Sequence, residues 1–305
     1  MTELKRHEYA APRVTGEPVE VSDGVFIISD RRVSLVPNVG IVVGDDAALV
    51  IDTGVGPRNG RYVLEQATRL AGERQLYLAI TQMDPGHGFG VQAFKGAATI
   101  IFSAAQRDRL HRHAPTYAEA FRKLGLGEVV EREFEGLELT EPDMVHDGHL
   151  TLDLGGVEVV LDDWGPAHTT DDQTVLIGDR VLFGGDLFET RMFAILPYVP
   201  PFDVDFDGDR WLGALDSLIA LDPEVVVPGH GEVTGVEQIR EVRSYLAHVR
   251  QETGRLIADG VSVDQAAATI EAQALARWST WEGPQMIRFL TRAFYDQSRD
   301  RHGSR

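Results

Sequence analysis

Carboxylate and imidazole side chains follow apolar, strand-like runs at several points of this chain, in loops that contain glycine. Each apolar run has the pattern of a buried strand. The residues that stand at these positions are Asp52, Asp84, His87, His168, Asp186 and His230. Carboxylates and imidazoles on one edge of a sheet make a site for a divalent metal ion, and strand ends hold such ligands rigidly. The pattern therefore predicts a β-rich fold with a metal site at a sheet edge.

Each of these residues, taken singly, also has an ordinary structural explanation. A histidine after a strand is most often a loop or cap residue, and Asp-Thr-Gly and Gly-Asp are common turn sequences. Asp52 in particular is either a candidate metal ligand or a residue that only caps a turn. The spacing of the whole set and its flanking glycines favour a shared site over coincidence.

The strand patterns form two β-rich halves, each joined to helical patterns. Residues 61–70, for example, have their apolar side chains at helical spacing. We predict one domain in which two sheets pack face to face with helices outside them. Residues 1–16 are expected to form a flexible arm, residues 17–235 the sheet domain, and residues 236–305 helices that pack on the same domain.

The composition excludes several classes of protein. The chain has 305 residues, a net charge of −19 and no cysteine, which rules out disulfides, cysteine-ligated zinc or iron–sulfur sites and a cysteine nucleophile. The acidity argues against a nucleic-acid partner and against docking on an anionic membrane, because both need clustered Lys and Arg. No apolar run reaches about 18 residues, and the polar start lacks a signal-peptide pattern. We therefore expect a cytoplasmic protein.

Five segments follow one another in a distinctive order between residues 25 and 232. They are Asp52-Thr53-Gly54, the loop after Ile80, Gly165-Pro166-Ala167-His168-Thr169, Phe183-Gly184-Gly185-Asp186 and Val227-Pro228-Gly229-His230-Gly231. In this order they resemble the motifs of the metallo-β-lactamase-fold superfamily of metallohydrolases. The resemblance implies an α/β (α+β) fold, a four-layer αββα sandwich, which this chain would extend with C-terminal helices.

The second of these segments departs from the family pattern. The usual His-x-His-x-Asp-His loop is here Gln-Met-Asp-Pro-Gly-His at residues 82–87, so only the last histidine is retained. By the resemblance, Gln82 and Asp84 replace two imidazoles of the first metal, and Gly86 replaces an aspartate that ligates the second. Asp84 is a candidate ligand and water-orienting base, whereas Gln82 would ligate weakly or only form hydrogen bonds.

The resemblance leaves about three protein ligands at each of two metal positions. The first position would keep His168 and the bridging Asp186, with Asp84 as a third ligand. The second position would keep His87, Asp186 and His230. Oxygen-rich ligation shifts the preference from zinc towards manganese or iron. The expected cofactors are therefore one or two divalent ions, with zinc, iron and manganese as the candidates.

The resemblance also implies a hydrolase that uses metal-activated water on a small ester, lactone, thioester or related substrate. A divalent ion lowers the pKa of a water that it binds from about 15.7 to near 7. Asp84 and His230 are the residues expected to take part in catalysis. The altered loop leaves two alternatives open: a non-hydrolytic iron or manganese enzyme with oxygen-dependent or lyase chemistry, and a degenerate, non-catalytic member of the fold.

Aromatic residues near the motifs are candidates for the walls of a substrate pocket. Trp164 lies shortly before His168, and Tyr198 and Phe202 belong to a proline-rich aromatic segment. The alternative is a surface segment that packs on the core. Aromatic residues in the C-terminal helices are expected to contribute to the core or to a dimer contact, which leaves a homodimer open.

Overall fold

Two β-sheets lie face to face in the computed structural model, which describes residues 10–123, 128–197 and 203–303. The first sheet has seven strands in chain order, and the second has five strands in the order β12-β11-β10-β9-β8. The strands of the first are β1 (Val19–Ser22), β2 (Val25–Ile28), β3 (Val39–Val43), β4 (Ala47–Ile51), β5 (Gln75–Ala79), β6 (Thr99–Ser103) and β7 (Met144–His146). The strands of the second are β8 (His149–Asp153), β9 (Glu158–Gly165), β10 (Asp172–Ile177), β11 (Val181–Phe183) and β12 (Val225–Val227).

Helices cover the outer face of each sheet. Those on the first sheet are α1 (Gly56–Ala71), α2 (Ala104–Arg112), α3 (Ala114–Lys123) and α4 (Glu128–Glu131). Those on the second sheet are α5 (Gly208–Ala220), α6 (Val236–Ala258), α7 (Val263–Arg277) and α8 (Met286–Gly303). Within the described ranges, none of these helices has the length and apolar character needed to span a bilayer.

Three separate apolar cores define the layers. The core between the sheets contains Ile51 from the first sheet and Leu161 and Phe183 from the second. A second core joins the first sheet to its helices, and a third joins the second sheet to α5–α8. Burying each large apolar side chain contributes roughly 1.5–3 kcal/mol, so all three interfaces stabilise the stack. The predicted four-layer αββα sandwich is confirmed.

The C-terminal helices form where the sequence predicts them. The pattern predicts helices at about 236–258, 262–275 and 283–298, and α6, α7 and α8 occupy these positions. Buried residues Tyr245, Ile270 and Leu290 of the three helices share one core with Trp211 of α5. The tail is therefore attached to the outer face of the second sheet.

Helix α1 begins at Gly56, earlier than the start at residue 61 that the apolar spacing indicates. Pro57 occupies the first turn, where its fixed φ and missing N–H are tolerated. The helix ends at Ala71, and the next residue, Gly72, has a φ of +61°, which glycine adopts without strain. The first turn was missed because its small and polar residues show no apolar periodicity.

The predicted N-terminal arm is described only in part, because residues 1–9 lie outside the described residues. Val14 is buried, and its N–H donates to Asn59 Oδ1 at 2.6 Å. Arg13 Nε lies 2.9 Å from Glu133 Oε1. These contacts attach the end of the arm to α1 and to the segment after α4.

Parallel strand pairs bring several loops to the same end of the sandwich. In the first sheet β4 runs parallel to β5, and Ile51 pairs with Ala79 at their ends. In the second sheet β11 runs parallel to β12, and Phe183 pairs with Val227. The loops that follow all four strands therefore leave at the carboxyl edge, where α/β folds commonly place their sites.

Candidate metal centre

His87, Asp186 and His230 bring their side chains together at this edge. One potential ligand atom from each lies within 4.8 Å of the other two. His87 Nε2 is 3.2 Å from Asp186 Oδ2, and His230 Nε2 is 3.6 Å from Asp186 Oδ1. All three residues are buried. Two imidazoles and one carboxylate form a donor set suited to a divalent transition-metal ion.

Two atoms of this group are buried without a hydrogen-bond partner, namely His87 Nε2 and Asp186 Oδ1. Such atoms are rare in folded proteins, because each costs about 1–3 kcal/mol of lost solvation. A divalent ion between the three side chains would satisfy both. The residues present therefore fit a metal ion.

The electrostatics of the group centre on the charge of Asp186. Burial alone would raise the pKa of Asp186, but the imidazoles of His87 and His230 lower it far below its ordinary value. Burial alone would lower the pKa of His87, yet Asp186 and Asp52 raise it well above its ordinary value. The carboxylate thus favours a neighbouring positive charge, which a proton on His87 or a bound metal ion can supply.

Asp52 holds His87 from the side opposite to Asp186. Asp52 Oδ2 lies 2.8 Å from His87 Nδ1, and Asp52 Oδ1 accepts the N–H of Thr81 at 2.7 Å. Donation from Nδ1 leaves Nε2 facing Asp186, which is the orientation that a metal-ligating histidine needs. Asp52 has a φ of +67°, which is uncommon outside glycine. Asp52 is therefore placed as a positioning residue behind His87.

The turn that carries His230 is held by two residues of the loop between β2 and β3. Asn38 Nδ2 donates to the carbonyl oxygens of Pro228 at 2.9 Å and Gly231 at 2.8 Å. Asp30 Oδ2 accepts the N–H of Gly231 at 2.9 Å. Sequence reasoning missed Asn38 and Asp30. The one signal for Asn38 was a buried-looking position, between a proline and an apolar strand, that carries a polar side chain.

Gln82 lies beside the group and connects Asp186 to Asp84. Gln82 Nε2 donates to Asp186 Oδ2 at 2.8 Å and to Asp84 Oδ2 at 3.0 Å. Asp84 Oδ1 accepts the N–H of Gly86 at 2.9 Å. Burial and the charge of Asp186 raise the pKa of Asp84, although His87 opposes them. Gln82 and Asp84 therefore lie beside the three clustered residues, and each forms hydrogen bonds within the structure.

His168 is not brought into the group. Its Nε2 lies 2.6 Å from the carbonyl oxygen of Ile195, to which it can only donate, and its Nδ1 lies 3.3 Å from Asp172 Oδ1. Burial alone would lower the pKa of His168, but Asp172 raises it to about 9. A ring nitrogen that donates its proton to a carbonyl oxygen has no lone pair for a metal. His168 therefore stands apart from the three clustered residues.

One of the three predicted pocket residues is described. Trp164 packs against the outer core of the second sheet, and its Nε1 donates to Thr174 Oγ1 at 2.9 Å. Tyr198 and Phe202 lie outside the described residues. A cavity of about 380 Å³ opens beside His230, and Phe193 is among its walls.

Comparison with known proteins shows the family to which the chain belongs. The family model described as the Metallo-beta-lactamase superfamily matches residues 34–230, a range that contains His87, Asp186 and His230. The chain belongs to this superfamily. No curated protein sequence matches it.

Solved structures of the superfamily fold agree with the architecture. The stereoselective inverting sec-alkylsulfatase Pisa1 from Pseudomonas sp. has a TM-score of 0.69 and 14% identity, covering 92% of this chain and 50% of its own. A metallo-beta-lactamase from Pontibacter korlensis has a TM-score of 0.57 and 19% identity, covering 76% of this chain and 98% of its own. The chain therefore spans half the length of the alkylsulfatase, and these likenesses show the fold alone.

Membership of the metallo-beta-lactamase superfamily supports a metal-dependent hydrolase in general. Most members are hydrolases, and they bind one or two divalent metal ions, typically zinc. In this member the clustered residues are the last histidine of the altered loop, the aspartate after β11 and the histidine after β12.

Sequence reasoning missed a buried ion-pair network that supports the altered loop of this superfamily member. Arg109 is fully buried, with its Nε 3.3 Å from Asp171 Oδ1 and its Nη2 2.8 Å from Asp203 Oδ2. Asp171 Oδ2 accepts the N–H of Met83 at 2.6 Å. The network therefore fixes the backbone of the loop at residues 82–87. Arg109 gave no signal because its helix is rich in surface-like cations.

A buried carboxyl group, Glu189, lies on the segment that follows Asp186. Its Oε1 accepts the N–H of Ile195 at 2.9 Å, whereas its Oε2 is buried without a hydrogen-bond partner. Burial and then the charge of Asp186 raise the pKa of Glu189 to about 8. The Glu189 carboxyl therefore holds its proton up to neutral pH in the metal-free protein.

Gly229 leaves room for the carboxylate of the centre, so Gly229→Ala is expected to weaken metal binding. A Cβ at this position would lie 2.0 Å from Asp186 Oδ1, which forces the carboxylate to move. We expect a loss of metal affinity of about 10–100-fold, the range seen when support for metal ligands is lost. Isothermal titration of metal into the chelator-treated variant measures this loss.

The matched control is Gly254→Ala. Gly254 lies inside α6 and is exposed, and a Cβ there meets no atom within 4 Å. This change should leave metal affinity unaltered and raise the free energy of unfolding by about 0.5–1 kcal/mol. Equal metal affinities in the two variants would contradict the placement of Asp186.

Proposed function

We propose that this chain is a hydrolase that uses one divalent metal ion, held by His87, Asp186 and His230, on a small ester, lactone or thioester. The observation that carries the proposal is the pair of buried, unpartnered ligand atoms beside the His230 imidazole. A divalent ion bound there would lower the pKa of a water molecule to near 7 and polarise a carbonyl group.

The surroundings of the group support a single ion. The first metal position of the family would need free ligand atoms from residues 82 and 84 and from His168. Here the Gln82 amide donates to the Asp186 carboxylate, and His168 Nε2 contacts a backbone carbonyl oxygen. An amide N–H and an imidazole N–H are donors that repel a cation. In this arrangement the first position therefore lacks the imidazole of His168, although Gln82 Oε1 is a buried oxygen without a hydrogen-bond partner, and the geometry favours a single ion.

Other residues around the centre orient its ligands and accept a proton. Asp52 and Thr81 orient His87, and Asn38 holds the turn of His230. Gln82 Nε2 joins the carboxylates of Asp84 and Asp186 through one amide. We assign to Asp84 the role of proton acceptor, because its carboxylate lies beside the centre, whereas the carboxylate of Asp52 is already taken up by His87 and Thr81.

Metal stoichiometry tests the proposal without an activity assay. Chelator-treated protein dialysed against zinc, manganese or iron should retain about one equivalent of at least one ion, measured by elemental analysis. At a free metal concentration about 100 times the Kd, the free energy of unfolding should rise by about 2.7 kcal/mol. Loss of ester or lactone hydrolysis after chelation, with recovery on reloading, then links the ion to the reaction.

Other stoichiometries favour other functions. Two equivalents would show that His168 and Asp84 rearrange to ligate, which contradicts the single-ion site. Well under one equivalent of every ion would support a degenerate, non-catalytic member of the fold. Uptake of iron with oxygen-dependent turnover would support the non-hydrolytic alternative.

A further inference from the structure

Besides His230 itself, three separate parts of the chain line the cavity of about 380 Å³. One wall is the loop before β3, another is the segment after Glu189, and the third is the segment that leads into α8. The apolar residues in these walls are Val33, Leu35, Met192, Phe193, Ile195 and Met286. The volume lies in the range of small-molecule pockets, which are largely apolar with a few polar groups.

The wall contributed by the C-terminal segment is fixed in place. The N–H of Phe193 donates to the carbonyl oxygen of Glu282 at 2.9 Å, and the N–H of Glu282 donates to that of Arg191 at 3.0 Å. These two backbone hydrogen bonds tie the segment before α8 to the segment after Asp186. A ligand would therefore enter a cavity whose walls are already ordered, which lowers the entropic cost of binding.

The cation at the edge of the cavity is already paired with two carboxylates. Arg32 Nε donates to Glu232 Oε1 at 2.8 Å, and Nη2 donates to Glu232 Oε2 at 2.6 Å. Arg32 Nη1 lies 3.2 Å from Glu282 Oε2, and Nη2 also donates to the Thr190 carbonyl oxygen at 3.0 Å. Among the described residues that line the cavity, Arg32 carries the one permanent positive charge, against the carboxylates of Asp30 and Glu282.

We infer that this cavity binds an uncharged apolar part of the substrate and that the Arg32–Glu232–Glu282 cluster excludes substrates with an anionic group there. The inference rests on the proposed function, because it takes His230 as part of the reacting centre. An anion in the cavity would lose its hydration and face the carboxylates of Asp30 and Glu282. Arg32 Nε and Nη2 already donate to Glu232, and Nη1, which makes no hydrogen bond, already faces the Glu282 carboxylate at 3.2 Å. Burying a charge without a partner is strongly unfavourable.

Two anilide probes that differ at one end test the inference. N-phenylbutanamide ends in a methyl group, and succinanilate carries a carboxylate at the same place. Isothermal titration of chelator-treated wild-type protein should give a Kd for the neutral amide at least about tenfold lower than that for succinanilate. Equal affinities, or tighter binding of succinanilate, would overturn the inference.

Releasing Arg32 should reverse the discrimination. In the Glu232→Gln/Glu282→Gln variant the Arg32 guanidinium loses both carboxylate partners and keeps the Thr190 carbonyl oxygen on Nη2, so it can form charge-assisted hydrogen bonds to a ligand carboxylate. The same variant also releases Arg191, which lies 3.1 Å from Glu232, whereas Glu282→Gln alone does not. We expect succinanilate affinity to rise by about tenfold or more while the affinity for the neutral amide stays within about twofold. Glu282→Gln alone changes an exposed side chain and should show the same direction. An unchanged succinanilate affinity in both variants would count against the cluster.

The matched control for these variants is Glu224→Gln. Glu224 pairs with Arg180 at 2.7 Å in an exposed ion pair, and neither residue lines the cavity. This variant removes the same charge from the protein and should leave both affinities unchanged. A gain in succinanilate affinity equal to that of the cavity variants would show that net charge, and not Arg32, governs the discrimination.

Filling the cavity tests its location. Ser34 is an exposed wall residue, so Ser34→Trp should fold normally and weaken binding of N-phenylbutanamide by about tenfold or more, because the ring occupies the ligand's space. Ser217→Trp, at an exposed position on α5, is the control and should bind as wild type. Unchanged binding by Ser34→Trp would overturn the inference.

The failure of this inference is distinguishable from that of the proposed function. If the protein takes up no metal but binds the neutral amide, and Ser34→Trp abolishes this binding, the cavity is confirmed as the ligand site and the metallohydrolase proposal is contradicted. If the protein hydrolyses esters with a metal ion and Ser34→Trp leaves this activity unaffected, the metallohydrolase proposal is supported and the assignment of the cavity to substrate binding is contradicted.

Discussion

Replacing Asp186 by alanine is expected to remove metal binding almost completely. Asp186 lies between the two imidazoles, with one carboxylate oxygen near His87 and the other near His230. Its loss takes away the one negative ligand of the group, so the effect should exceed the about 10–100-fold that follows loss of an outer hydrogen-bond partner. Metal content after dialysis and titration calorimetry measure it, together with loss of any metal-dependent hydrolysis.

Two further variants serve as an intermediate case and a control for Asp186→Ala. Asp52→Asn weakens the support of His87 without removing a ligand, so metal affinity should fall by about 10–100-fold. Asp162→Asn removes a half-buried carboxylate that pairs with His149 at 2.7 Å, and should bind metal as wild type does. Metal content in Asp186→Ala equal to that of Asp162→Asn would refute the assignment of the centre.

Replacing Arg109 by methionine should destabilise the whole fold. Burial alone would lower the pKa of Arg109, but Asp171 and Asp203 raise it further above its ordinary value, so the guanidinium is charged. Removing it leaves two buried carboxylates without their cation, which costs about 3–5 kcal/mol. The free energy of unfolding of the metal-free protein, from urea titration, measures this loss.

A lysine at the same position separates the contribution of the positive charge to stability from that of the guanidinium geometry. Arg109→Lys keeps a positive charge but cannot contact Asp171 and Asp203 together with the same planar fork, so it should recover only part of the stability. Arg180→Met removes an exposed arginine that pairs with Glu224, and its urea midpoint should match wild type. If Arg109→Met unfolded at the wild-type midpoint, the network would not support the fold.

Much of the fold could be predicted from local patterns. Apolar runs with turn residues between them marked the strands, and helical spacing marked the three C-terminal helices at nearly their observed positions. Both patterns are predictable because the buried face of a strand or helix carries apolar residues at the spacing of that element, and this spacing is visible in the sequence. The start of α1 at Gly56 was missed because a proline-containing first turn carries no such periodicity.

The candidate site could be predicted in its residue types but not in its side-chain directions. His87, Asp186 and His230 were all expected and all meet. His168 was expected beside them, yet its ring nitrogens contact Asp172 and the Ile195 carbonyl oxygen. A motif fixes where a residue stands on the chain, whereas the direction of its ring depends on partners from distant segments.

Supporting residues were the hardest to foresee. Asn38, Asp30 and Arg109 lie far in sequence from the motifs that they hold. Asn38 and Asp30 contact backbone groups of another segment directly, whereas Arg109 acts through the carboxylate of Asp171. A single sequence shows no sign of such pairings. Burial of a polar side chain with its partners satisfied is a property of the folded packing.

The sequence by itself determined the family, the layered fold and the carboxylates and imidazoles at the strand ends, because local spacing sets which strand each residue terminates. Only the tertiary structure decided which of them share a centre: Gln82 bridges two carboxylates, His168 turns to a backbone carbonyl oxygen, and Asp52 supports His87 from behind. These outcomes depend on hydrogen bonds between distant segments, which form only when the two sheets and their loops have packed together.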